Sequence, residues 1–412
     1  MTPFEDICAR ARAASRALAT ATRAEKDAAL LAAAAALVSR ADAIAEENAA
    51  DVRDARDRGT KPALLDRLTL DRPRVEAVAR SLREIAAEDD PVGHVIEDRA
   101  RPNGLRVRRV RVPLGVIGMI YEARPNVTAE AAALCFKAGN AVVLRGGSEA
   151  RRTNGAIVEA VRSALPEHTR DAVQLAEPTR ESVLEMVRAE GAIDLVIPRG
   201  GEALIRFVTE NARVPVVQHY KGVCHLYVDA GADVDEATRI AVNAKLSRPG
   251  VCNALECLLV DRADARRLLP PIADALLAGG CELRGCDETR ALVPRANAAA
   301  ADDWGREFLD RVLAVRVVGG LAGALEHIAR NGSGHTEAIC TRDEAHAERF
   351  RAEVDAACVV VNASTRFHDG GELGLGAELG IATSRLHWRG PMGLESLTTM
   401  KWLIDGHGQT RA

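Results

Sequence analysis

Between Val116 and Gln218 the chain repeats one pattern, a short and largely apolar run followed by a stretch of helix length. The runs are VIGMI near 116, AVVLR at 141, AVQLA at 172, IDLVI at 193 and VPVVQ at 214. A strand with one wet face alternates polar and apolar residues, whereas runs lacking that alternation belong in strands buried on both faces. With helix-length connections between them, they predict a parallel sheet covered by crossover helices. Ligands of such sheets bind beyond the carboxyl ends of the strands. The loops starting at Tyr121, Arg145, Glu177, Pro198 and His219 are therefore the expected walls of a site.

A second series of the same kind begins at Cys224. Strands are expected through Val228, at Glu256 to Val260, Ala314 to Val318, Ala338 to Cys340 and Ala356 to Val361, with helices at about 233–246 and after Ala263. This reads as a second α/β domain, which a chain of 412 residues has room for. Ahead of both, an alanine-rich stretch from about 4 to 57 reads as helix broken near Ala21. Another helix follows Asp71, with Val75, Val78, Leu82 and Ile85 on its buried face. The segment from His94 to Val112 reads as a hairpin about Asn103-Gly104. Arg108-Arg109 slips its alternation by one, predicting a bulge or a switch of buried face. A last strand is expected from Leu397 to Ile404.

Composition removes several function classes. With 55 basic and 59 acidic residues, the formal charge of −4 makes no case for nucleic-acid binding. The arginines of the hairpin lack the interleaved aromatics that stack bases, so a subunit contact is the better reading. Nine cysteines without a CxxC pair are not a disulfide framework. No run approaches the length of a membrane span, and a cytoplasmic protein with no membrane partner is expected. HExxH, G-x-S-x-G and GxxxxGK[ST] do not occur, and the histidines make no metal-spaced set with Cys252 and Cys257. No metal is expected.

Two strand-to-helix loops can present backbone amides to a phosphate: Arg145-Gly146-Gly147-Ser148 and Pro198-Arg199-Gly200-Gly201. The run from Gly374 to Gly380 has the wrong spacing for a dinucleotide fingerprint and reads as tight turns. Cys252 follows the turn Ser247-Arg248-Pro249-Gly250 and precedes an apolar strand, a setting that can present a nucleophile, although a lone cysteine is more often structural or unremarkable.

Longer motifs resolve that choice. Tyr121-Glu122-Ala123-Arg124-Pro125-Asn126-Val127-Thr128, Arg248-Pro249 with Cys252-Asn253-Ala254-Leu255-Glu256, Asn331-Gly332-Ser333-Gly334-His335, residues 361–367 (VNASTRF) and residues 389–395 (RGPMGLE) resemble the gamma-glutamyl phosphate reductase family over the whole chain. The resemblance implies an aldehyde dehydrogenase-like α/β fold with a Rossmann-type parallel-sheet cofactor domain (1–93 and 113–223) and an α/β catalytic domain (224–365). It also implies a small β oligomerisation element (94–112 and 396–406) and a glycine-rich return segment (366–395). Cys252 becomes the nucleophile on the acyl phosphate of L-glutamate 5-phosphate, forming a thioester that NADPH reduces to L-glutamate 5-semialdehyde in the second step of proline biosynthesis. Asn126 matches the oxyanion donor, working with the Cys252 amide.

Arg145 stands where related dehydrogenases carry a lysine near the ribose, and Ser148 where NAD-preferring members often carry a glutamate. Both changes favour a 2′-phosphate, so NADPH is the expected donor, with Gly146 and Gly147 beside it and Pro198 to Gly201 near the pyrophosphate. The water-activating glutamate of hydrolytic relatives is missing from Gln218-His219-Tyr220-Lys221-Gly222, so the thioester is expected to survive until hydride arrives; His219 is left as a candidate base. For the substrate's anionic groups the expected ligands are Arg124 and Arg366, then Asn362 and Lys137, with loop bracing and a solvated helix end as their respective alternatives. A homo-oligomer is implied, and the lability of the acyl phosphate points to transient association with glutamate 5-kinase.

Overall fold

The computed structural model describes residues 2–218 and 220–411. They fold into two compact units, Met1–Gln218 with Leu375–Gly380 and Met392–Ala412, and His219–Gly374 with Ile381–Pro391.

The first unit opens with α1 (Pro3–Leu18), α2 (Arg23–Ser39), α3 (Ala41–Asp57), α4 (Pro62–Leu68) and α5 (Arg72–Ala87). The chain breaks near Ala21 as expected because Thr22 and Glu25 form a capping box. The Thr22 hydroxyl accepts from Glu25 N, and the Glu25 carboxylate accepts from Thr22 N at 2.7 Å. A second break, at Arg40, has no side-chain cap to announce it. Asp71 caps α5, which buries Val75, Val78, Leu82 and Ile85. No single helix among the described residues is long and apolar enough to cross a membrane.

The hairpin forms from β1 (Val95–Ala100) and β2 (Arg106–Pro113). Its register shifts between Val95 and Glu97, opposite Val110 and Arg109, so the extra residue sits on β1 rather than at the arginine pair. Next come β3 (Val116–Tyr121), α6 (Asn126–Lys137), β4 (Ala141–Arg145), α7 (Arg151–Ala164), β5 (Val173–Leu175), α8 (Arg180–Val187), β6 (Leu195–Arg199) and α9 (Glu202–Asn211). The four strands make a parallel sheet in the order β5-β4-β3-β6, and every residue of β3 is buried. The fifth run departs from expectation. Residues 214–218 contribute one bridge, Val216 to Val196, since Pro215 has no N–H to extend a ladder.

The second unit holds β7 (Cys224–Val228), α10 (Val234–Leu246), β8 (Leu255–Asp261), α11 (Ala265–Ala278), β9 (Glu282–Gly285), α12 (Asp287–Leu292), β10 (Asn297–Ala298), β11 (Val312–Val318), α13 (Gly320–Asn331), β12 (Thr336–Cys340), α14 (Glu344–Glu353) and β13 (Cys358–Val361). Its sheet runs β10-β9-β11-β8-β7-β12-β13 and is parallel in each pairing. Leu226, Leu258 and Val315 pack on one face with residues of α10 and α11; Tyr227, Leu259 and Ala314 pack on the other with Leu321, Ile328 and Phe350. A two-residue antiparallel pair, β14 (Ile381–Ala382) and β15 (Gly390–Pro391), follows. Back in the first unit, β16 (Thr398–Asp405) adds to β2 as the third strand beside the hairpin.

The turns of the glycine-rich run fold onto Glu88. Ala377 N donates to its carboxylate at 3.0 Å, and Gly376 holds φ +73° where a side chain would collide with that carboxylate.

Candidate active site

In the second unit, residues 247–254 carry Cys252 from the end of α10 to the amino end of β8. The position reverses the carboxyl-end rule used for the first series. The loop is held at its base by a fully buried ion pair, Lys245 Nζ to Glu256 Oε2 at 2.6 Å, joining the last turn of α10 to β8. Burial pushes the Glu256 carboxyl up to about 7 against the opposing pull of Lys245. Its other oxygen accepts from Leu309 N at 3.1 Å.

The peptide of Cys252 is fixed from several directions. The Cys224 thiol, kept protonated by burial, donates to the Cys252 carbonyl at 3.2 Å. Gly222 lies so close that any side chain there would overlap the Cys252 backbone. Asn253, buried, donates from Nδ2 to His368 O at 2.9 Å and accepts at its backbone oxygen from Thr365 at 2.7 Å. Arg366 donates to the Asn253 carboxamide oxygen. Cys252 itself is half-buried, whereas burial lifts the thiols of Cys8 and Cys281 to about 11 and of Cys340 to about 12. A low-lying thiolate is what nucleophilic attack needs, so those three are poor candidates.

A buried trio that the sequence reading did not assemble is His225, Cys257 and His327, whose ligand-type atoms all lie within 4.8 Å of one another. Hydrogen bonds occupy both nitrogens of His327 and Nδ1 of His225, while His225 Nε2 is buried without a partner among the described residues. Burial opposes charge on His225, but the Glu337 carboxylate, 2.8 Å from its Nδ1, outweighs that and lifts it to about 10. Arg316 can only donate, so at 3.1 Å it leaves His327 with a bare Nδ1 and a protonated Nε2 turned to Cys257. Burial also holds His327 down at about 3, neutral at ordinary pH.

In the first unit the loops after β3, β4 and β6 line one edge of the sheet, as the carboxyl-end rule requires. Arg145, half-buried, donates to Thr179 O at 2.9 Å, while its Nε is buried without a hydrogen-bond partner among the described residues. Burial draws its pKa down against the nearby charges of Glu149 and Glu122. A side chain at Gly146 would collide with Asn154, and one at Gly200 with Glu122 and Leu204. Ser148 begins a short 3-10 turn ahead of α7, and Gly147 precedes it. Pro198 is tolerated in β6 because that strand lies at the sheet edge. Arg199 packs against the backbone of Gly380, and Gly201 caps α9.

Three glutamates, Glu122, Glu149 and Glu130, do not stand out in the sequence. Glu122 accepts from Gly201 N at 3.2 Å, taking the anion position at the start of α9, and Glu149 accepts from Ala123 N at 2.5 Å. Asn126, at the first position of α6, donates from Nδ2 to Glu130 Oε2 at 3.0 Å, one turn along the helix. Burial lifts the Glu130 carboxyl above its ordinary range, opposed by that hydrogen bond and by the charge of Arg199.

The substrate set needs two corrections. Lys137 is fully buried, bonded to Asp27 and to Ala86 O at 2.7 Å, so it is neither a ligand nor a solvated helix end. Asn362 sits past the carboxyl end of β13, in the left-handed region at φ +52°. Both ends of its carboxamide are spent on the Thr341 backbone, accepting at 2.9 Å and donating at 3.0 Å. It braces the edge opposite the one that Cys252 precedes. Arg124 is half-buried in the loop after β3. His219 lies outside the described residues.

Residues 2–279 match the aldehyde dehydrogenase family. The chain is 58% identical over 413 residues to a gamma-glutamyl phosphate reductase of Sorangium cellulosum, covering 98% of this chain and 97% of that protein. The crystal structure of the gamma-glutamyl phosphate reductase from Thermotoga maritima superposes with a TM-score of 0.98 at 45% identity, covering 100% of both chains. An acetylating aldehyde dehydrogenase from Geobacillus thermoglucosidasius, 18% identical with a TM-score of 0.68 over 99% of this chain and 97% of that one, shares the fold. With identity sustained from end to end, the chain belongs to the gamma-glutamyl phosphate reductase family, within the aldehyde dehydrogenase superfamily.

Proposed function

We propose that this protein reduces L-glutamate 5-phosphate to L-glutamate 5-semialdehyde at the expense of NADPH, releasing phosphate in the second step of proline biosynthesis. The observation that carries the reading is Cys252, a half-buried thiol on a loop whose backbone is clamped by Cys224, Gly222 and Asn253, in a chain so close to known reductases. The Cys252 thiolate attacks the acyl carbon, and the carbonyl electron pair moves to oxygen, where the Cys252 amide and the Asn126 carboxamide stabilise the charge. Collapse breaks the bond from the acyl carbon to the phosphate oxygen, inorganic phosphate departs, and a thioester remains on Cys252. NADPH, when bound, supplies the hydride that takes this thioester to the aldehyde. Cys252 then leaves as thiolate, ready for another turn.

The residues around Arg145 suit a phosphorylated dinucleotide. A buried guanidinium Nε without a partner among the described residues fits an incoming anion. Gly146, Gly147, Gly200 and Gly201 approach the cofactor once its phosphates replace the Glu149 and Glu122 carboxylates that lie against Gly147 and Gly200. Ser148, Pro198 and Arg199 complete the cofactor set; Arg124 and Arg366 hold the substrate's anionic groups, Arg366 through a guanidinium that also fixes Asn253. In this reading residues 1–93 and 113–223 serve the cofactor and 224–365 the chemistry. The hairpin and terminal strand, 94–112 and 396–406, join subunits into a homo-oligomer, with 366–395 as the return segment. Nine free cysteines suit a reducing cytoplasm. A labile acyl phosphate favours brief association with glutamate 5-kinase.

The reverse reaction is the test, as NADPH formation from L-glutamate 5-semialdehyde must require inorganic phosphate. Cys252→Ala should lower it by about 10³-fold or more while NADPH still binds. Turnover without phosphate, or normal turnover in Cys252→Ala, would overturn the reading.

A further inference from the structure

Asn126 is useful as an oxyanion donor only if the nitrogen end of its carboxamide points the right way. Oxygen and nitrogen of an amide have nearly the same shape, so packing alone selects an orientation poorly. Here a selector is present: Glu130, one turn along α6, accepts from Asn126 Nδ2 at 3.0 Å. A carboxylate can only accept, so it takes one of the two Nδ2 hydrogens and repels the amide oxygen. The second hydrogen is left aimed by the plane of the amide. Burial raises the Glu130 carboxyl, and the Asn126 hydrogen bond and the positive charge of Arg199, at the end of β6, oppose that shift in favour of the ionised form.

We infer that Glu130 is a positioning residue for the reductase reaction, acting through Asn126 by fixing the orientation of its carboxamide and polarising its N–H. The inference rests on the assignment of Asn126 as oxyanion donor. Charge on the acyl oxygen is greatest during attack and collapse, so the effect belongs to kcat rather than to cofactor binding.

The experiment compares Glu130→Ala, Glu130→Gln, Asn126→Ala and the double Asn126→Ala/Glu130→Ala in steady-state kinetics, with NADPH binding measured by fluorescence titration. Glu130→Ala should lower kcat by about 10- to 100-fold, with NADPH affinity within about twofold. Glu130→Gln keeps an acceptor of the same length but adds a donor and loses the charge, so it should recover only part of that loss. The double variant should be no slower than Asn126→Ala alone, because the two residues act as one unit. An unchanged kcat in Glu130→Ala, a Gln variant as slow as the Ala variant, or a double variant slower by the product of both effects would each overturn the inference. Full activity in Asn126→Ala would instead remove the oxyanion assignment itself, whatever Glu130 does.

Discussion

Arg145 shows how one side chain combines a structural bond with an unsatisfied one. Its Nη2 ties the loop after β4 to Thr179, while its Nε stays buried with no acceptor among the described residues. If that donor awaits the 2′-phosphate, Arg145→Ala should cut the ratio of kcat/KM for NADPH over NADH by about tenfold or more, the usual worth of a charge-assisted hydrogen bond. An unchanged ratio would place the phosphate elsewhere. A long motif singles out Cys252 and Asn126 for the roles proposed for them, whereas a position whose fate burial decides leaves no such mark in the sequence. Lys137 ends α6 in a chain rich in cations, so its sequence gave no sign that Asp27 and the Ala86 carbonyl would enclose it. Asn362 misled for a related reason: it lies in a family-like segment, but its left-handed backbone turns the carboxamide onto Thr341. Glu130 was the findable miss, since a helix places residues four apart on one face.

At the scale of elements, Lys245 and Glu256 close the ends of the nucleophile loop inside the core, both fully buried. Removing one partner strands the other's charge, so Lys245→Met should lower unfolding stability by about 3–5 kcal/mol. The double replacement Lys245→Met/Glu256→Leu should recover most of that in denaturant titrations. If the single variant is as stable as the parent, the pair does not hold the loop. The strands themselves were legible wherever they were long and apolar, because burial on both faces leaves no polar positions to confuse the pattern. The short, half-polar β9 carries too little of that pattern to stand out, and residues 214–218 carry it without forming a strand, since Pro215 withholds the N–H a ladder needs.

For the whole molecule, the three-stranded sheet is the part that looks outward. Met400, Trp402 and Ile404 project from one face of β16 and are 48%, 49% and 63% exposed, with Trp402 under the guanidinium groups of Arg99 and Arg109. If this face joins subunits, Trp402→Asp should shift the protein to a smaller species in light scattering at fixed concentration, and an unchanged mass would clear the face of that role. The same sheet has a history. Strand β2 pairs with β16 from Pro113 opposite Thr398, so its partner arrives 285 residues later. At about 5–20 residues per second, the hairpin waits on the ribosome with an open edge for roughly 15–60 s. An open edge invites pairing with a neighbouring nascent chain. Arg106 and Arg109 already face Asp98 and Glu97 of β1 within the hairpin, so Arg108 and Arg111 are the charges that make two such edges repel during that wait. When β16 docks, Arg108 gains Asp405 at 2.9 Å and Arg111 gains Glu395 at 2.8 Å, so the charge that guarded the hairpin is neutralised by the segment that completes it.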